Sequence, residues 1–102
     1  MKRKYREIYF TDHALGRLKD RGIKQGDVYA TWNRPDESKF SKKKGAWIYT
    51  RDVGGNDLEV VAIKNDKGEW VVISVWSKPS DKSLTNDNKS LLRKFFDKLL
   101  SL

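Results

Sequence analysis

The chain has no cysteine, a single histidine, a single methionine and two prolines. Without cysteine there is no disulfide scaffold, no thiolate zinc site and no cysteine nucleophile. The single histidine, His13, excludes a multi-histidine metal centre and a ribonuclease that works with two histidines. Acidic residues are too scattered for a magnesium site, which argues against a two-metal nuclease, so no metal or cofactor is expected. No apolar run approaches the ~18 residues of a membrane span, and no membrane partner is expected. The N-terminal stretch Met1-Lys2-Arg3-Lys4-Tyr5-Arg6 is charged and lacks the apolar segment of a signal peptide. The chain therefore reads as cytoplasmic, or as a piece delivered within a larger secreted protein. There are no internal repeats and no low-complexity segment.

What is present is charge of one sign. Lys and Arg number 22 against 14 Asp and Glu, a net charge of +8, in a chain of 102 residues. That length is one domain with room for a real core. The basic excess recurs in the N-terminal arm, at Arg17 and Arg21, at Lys42-Lys43-Lys44 and near the C-terminus. A positive field attracts nucleic acid, and the four Trp and four Tyr set among these charges suit base stacking.

The pattern predicts an α+β domain. Arg6 to Phe10 reads as a short edge strand or an extended arm. Thr11 is a good N-cap and Asp12 suits the first turn of a helix from about Asp12 to Arg21, stopped by Gly22 with Ile23 behind it. A second helix runs from about Gln25 to Asn33, with Val28 and Trp32 as its buried seam and Pro35 after it. The period then changes. Ala46 to Val53, Leu58 to Lys64 and Glu69 to Ser77 read as strands joined by short Gly/Asn/Asp turns, and 38–42 as a fourth at the edge. Short turns imply antiparallel pairing. Alternation along the last strand places Val71, Ile73 and Val75 under the helices, and Trp70, Val72, Ser74 and Trp76 on the other face. The expected fold is thus two N-terminal helices on a three- to four-stranded antiparallel sheet over residues 8–78. A linker over 79–88 and a C-terminal amphipathic helix over 89–102 complete it. Leu91, Leu92, Phe95, Phe96, Leu99 and Leu100 form one apolar stripe on that last helix. The stripe serves as core packing, as a homodimer seam or as the seat of a partner protein.

One constellation carries chemistry. His13, Arg17 and Arg21 are four residues apart and form a single stripe on the first helix, beside Ala14, Leu15 and Leu18, which face inward. A neutral imidazole can take a proton from a ribose 2′-hydroxyl. Two guanidinium groups can hold a phosphate and stabilise its developing charge. Ser74, or Thr50 on the neighbouring strand, can hydrogen-bond the same phosphate from the sheet. The same spacing also fits an ordinary solvated helix face.

The run Phe10-Thr11-Asp12-His13-Ala14-x-x-Arg17-Leu18-x-x-Arg21-Gly22-Ile23, followed by Asp27-Val28, Asn33-x-Pro35-Asp36 and the strand Val72-Ile73-Ser74-Val75-Trp76, resembles a bacterial and phage family of small toxin-like domains. That family is grouped with the barnase–EndoU–colicin–RelE fold of metal-independent endoribonucleases. The resemblance covers about residues 8 to 78. It implies an RNA-cleaving toxin of a toxin–antitoxin or polymorphic-toxin system, with His13, Arg17 and Ser74 at the matched positions and a neutralising antitoxin or immunity protein as partner. The C-terminal stripe has no counterpart in the family's motif.

The remaining candidates concern binding. Lys43 and Lys44, within the lysine run before Gly45, are a solvated loop or a phosphate grip. Tyr49 and Arg51, together with Trp76, are candidates for contact with an RNA strand. The alternatives to catalysis are a basic nucleic-acid-binding module without chemistry, and a protein-interaction domain that docks through its C-terminal helix.

Overall fold

The computed structural model describes residues 1–79. Eight elements follow in order: β1 (Lys4–Tyr5), β2 (Ile8–Phe10), α1 (Asp12–Arg21), α2 (Gln25–Asn33), β3 (Glu37–Ser41), β4 (Ala46–Val53), β5 (Asn56–Lys64) and β6 (Trp70–Pro79).

The helix boundaries follow from their caps. The Thr11 hydroxyl accepts from Ala14 N–H at 3.1 Å, satisfying one free donor of the first turn of α1. At the other end Gly22 adopts φ 64°, which lets Ile23 N–H donate to the Leu18 carbonyl at 2.9 Å while the Ile23 side chain packs on the core. The N-cap of α2, Lys24, offers no side-chain bond.

The sheet corrects the sequence expectation. It has six strands in the order β1-β2-β6-β5-β4-β3 and is mixed, not a purely antiparallel sheet of three or four. Only β2 and β6 run parallel, with Ile8 opposite Trp70 and Phe10 opposite Val72. The N-terminal arm is the cause. Its two strands are three residues long at most, too short for a visible period, and they turn on Arg6 at φ 54° without a glycine or asparagine to mark the bend. β1 pairs with the adjacent β2, but β2's other partner, β6, lies about sixty residues away, so the parallel pairing emerges only in the tertiary structure. The strand at 37–41 confirms a fourth strand at the opposite edge. β6 extends to Pro79, one residue into the stretch read as a linker. The expected C-terminal helix over 89–102 lies outside the described residues and is not part of the described fold.

Both helices pack on one face of the sheet. Ile8, Phe10, Ala14, Leu18, Val28, Leu58, Val60, Val72 and Val75 are its buried core. The opposite face carries a smaller buried cluster of Ala46, Ile48 and Val61, flanked by Ile63 and Ile73.

A bulge decides which side chains join which face. Val61 is opposite Ser74, but Ala62 is opposite Val72, so Ile73 is an extra residue in β6. A one-residue insertion inverts every side chain beyond it. Simple alternation therefore fails: Val72 and Val75 both enter the helix-side core, whereas Ile73 packs with the other cluster. Trp70 packs on the helix side, while Trp76 lies opposite Glu59 on the other, so the two tryptophans do not share a face.

Candidate functional site

β2 ends opposite Val72, and the chain passes from there directly into α1, which packs on the helix-side face of the sheet. Thr11 makes the transition. Its N–H donates to the Val72 carbonyl at 3.1 Å, and its hydroxyl reaches the Ile73 carbonyl at 3.5 Å. Ala14 and Leu18 are fully buried against the core, which fixes the rotation of α1 and brings His13, Arg17 and Arg21 to one side of it.

The three stripe residues sit differently. His13 is exposed, Arg17 is half-buried and Arg21 is exposed at the helix end. The Arg21 guanidinium carbon lies 3.6 Å from the centre of the half-buried Trp76 ring, a cation–π contact made beyond the end of the β2–β6 pairing. Ser74 is half-buried, opposite Val61 and two residues from Trp76 on the same face. Thr50 is one strand further away, opposite Glu59.

The remaining sequence candidates divide. Lys43 and Lys44 are exposed in the β3–β4 turn. That turn joins the strands two and three spacings from β6, about 10 to 14 Å away across the sheet. Tyr49 is half-buried between Trp47 and Trp70, and burial raises its hydroxyl pKa above the ordinary tyrosine value. Arg51 is used within the fold: it donates to the Arg34 carbonyl at 3.0 Å, tying the end of α2 to β4. Among these candidates, Arg21 and Trp76 are in direct contact with each other.

One group was missed. Glu59 is 5% exposed at the centre of β5, within the otherwise apolar run Leu58 to Ile63. Lys78 Nζ lies 3.4 Å from Oε1, and Oε2 is buried without a hydrogen-bond partner among the described residues. Burial pushes its carboxyl up to about 7, Lys78 opposes the shift, and Asp57 and Glu37 add to it. A lone acid in an apolar strand was the available signal.

A shallow groove of about 300 Å³ lies at the other end of β6, lined by Lys4, Glu7, Tyr9, Trp32, Glu69 and Trp70 among others. Hydrogen bonds from Asn65 and then Tyr9 hold the Glu69 carboxyl below the usual carboxylate range. Among the described residues no three His, Asp or Glu side chains converge as metal ligands. Nor is any described helix long and apolar enough to cross a membrane.

Residues 10–77, from the end of β2 through nearly all of β6, match the family described as a domain of unknown function, DUF4258. The chain belongs to the DUF4258 family. The matched region includes His13, Arg17, Arg21, Ser74 and Trp76, as well as both helices and the bulge at Ile73. No curated protein and no solved structure matches this DUF4258 chain.

Proposed function

We propose that this DUF4258 domain binds RNA and cleaves it without a metal ion, as the toxin of a toxin–antitoxin or polymorphic-toxin system. The observation that supports this reading best is the Arg21–Trp76 stack. Stacking occupies the flat face of the guanidinium and leaves its in-plane N–H donors directed outward. A fork held in this way suits a phosphate.

In the proposed reaction His13 accepts the proton of a ribose 2′-hydroxyl. The 2′-oxygen then bonds to the adjacent phosphorus as the bond to the 5′-oxygen breaks. Arg17 and Arg21 stabilise the charge on the phosphate oxygens, and Ser74 assists from the sheet. The leaving oxygen takes up a proton from water. The products are a 2′,3′-cyclic phosphate and a free 5′-hydroxyl. Such an activity calls for a neutralising antitoxin or immunity protein, and for action in the cytoplasm, where RNA is.

The test is incubation of the purified protein with RNA in excess EDTA. Cleavage that persists, yields cyclic phosphate ends, spares DNA and is lost in His13→Ala supports the reading. Intact RNA, or His13→Ala with full activity, rejects it. The exposure of His13 favours a second reading, a basic binding module without chemistry. That reading predicts RNA and DNA affinities that both fall steeply with salt and leave the strand uncut.

A further inference from the structure

Phe40 and Trp47 face each other across β3 and β4, and they are the two large aromatic side chains most exposed to water among the described residues, at 45% and 38%. Their rings meet edge to face at 5.4 Å. Trp47 also stacks on Tyr49 at 6.3 Å and 17°, and Tyr49 abuts Trp70 at 6.1 Å. The exposed pair is thus the outer end of an aromatic row whose inner members pack on the helix-side core.

The lysine run lies beside this pair. Phe40–Trp47 and Ser41–Ala46 are the last two steps of the ladder, and the turn between them is Lys42-Lys43-Lys44-Gly45. All three lysines are exposed, but their backbone is held. Gly45 N–H donates to the Ser41 carbonyl at 2.8 Å, and Lys44 N–H to the Ser41 hydroxyl at 3.3 Å. Lysines on an edge hairpin discourage strand addition by other chains, which accounts for the charges alone. It does not account for two aromatic rings left in water on the same hairpin, which work against that protection.

We propose that Phe40 and Trp47 are a stacking platform for the bases of single-stranded RNA, with Lys42, Lys43 and Lys44 gripping its phosphates. Ring faces accept any base, and the three ammonium groups provide sequence-blind attraction beside them. The platform rests on the RNA reading given above and names its substrate class as single-stranded. With Trp47 two and Phe40 three strand spacings from β6, about 10 to 14 Å across the sheet, the platform would hold the strand to one side of the linkage approached by His13.

Fluorescence anisotropy of the full chain with a short fluorescein-labelled 2′-O-methyl oligouridylate tests this. The blocked 2′-oxygen prevents cleavage, so binding is read whether or not the domain is a nuclease. Trp47→Leu is expected to weaken binding about fivefold or more, while Trp47→Tyr, which retains a stacking ring, stays near wild type. Replacing all three lysines by glutamine should flatten the dependence of log affinity on log salt by about 2. Phe40→Ala gives the same reading should Trp47→Leu fail to fold. Affinity unchanged in the leucine and alanine variants overturns the proposal. So does a Trp47-dependent affinity for anionic phosphatidylserine vesicles with none for the oligonucleotide. Loss of cleavage by His13→Ala with the Trp47 effect intact separates the platform from the chemistry.

Discussion

Arg21 and Trp76 are 55 positions apart, yet the guanidinium of one lies 3.6 Å from the ring centre of the other. The contact needs two independent features. Leu18 must be buried to turn the end of α1 toward the sheet, and the bulge at Ile73 must rotate Trp76 to the face away from the helices. The pair therefore joins the helix stripe to the part of β6 beyond its pairing with β2.

Arg21→Lys separates charge from shape. Lysine keeps the positive charge but not the flat face that stacks or the fork that binds a phosphate bidentately. Overall RNA affinity should change little, while the cleavage rate falls on the order of 10²-fold, the usual consequence of losing one preorganised donor. Equal losses in binding and rate would assign Arg21 to general attraction only.

Thr11 joins two elements, because its hydroxyl caps α1 and its backbone continues the edge of β6. Thr11→Ala should destabilise the domain by about 1 kcal/mol. For a domain of this size that lowers the thermal midpoint by about 5 °C. Thr11→Ser should recover most of the loss. A midpoint unmoved in the alanine variant would show that the cap bond contributes nothing net.

Both helices, their caps and the three long strands were legible because each has a strong local cause. Thr11, Gly22 and Pro35 punctuate the helices, and the period changes near Ala46. The His13-Arg17-Arg21 stripe was legible for the same reason, since one helix fixes its spacing. The parallel pairing of β2 with β6 was not, because three residues carry no period and the partner is remote. The bulge was hidden by its own composition. Val71, Val72, Ile73 and Val75 are all apolar, so nothing in the residue types marks where the phase slips. Glu59 stood in plain view, but its burial and its Lys78 partner depend on the register between β5 and β6.

His13→Ala and Ser74→Ala should differ in kind. His13 is exposed and its removal should leave stability within about 0.5 kcal/mol. Cleavage should fall by about 10² or more, as expected for loss of a general base. Ser74 is placed to assist, so its alanine variant should keep partial activity. A serine variant less active than the histidine variant would reverse the two roles.

Glu59 makes the stability of the domain depend on pH. Its folded carboxyl titrates at about 7, above the ordinary 4.5, chiefly because burial disfavours the charged form. Between those two values the folded state keeps a proton that the unfolded chain has released, so stability falls as pH rises. The contribution is fully present below about 4.5 and gone above about 7, and it amounts to roughly 3 kcal/mol. Lys78 limits the shift, while Asp57 and Glu37 enlarge it. Urea unfolding at about pH 5 and about pH 8 should therefore show wild type losing about 2 kcal/mol more than Glu59→Gln over that interval. Lys78→Met removes the opposing cation and should carry the loss to higher pH. Parallel profiles for wild type and Glu59→Gln would mean that Glu59 is charged throughout the interval. The Lys78 ion pair would then outweigh burial at this position.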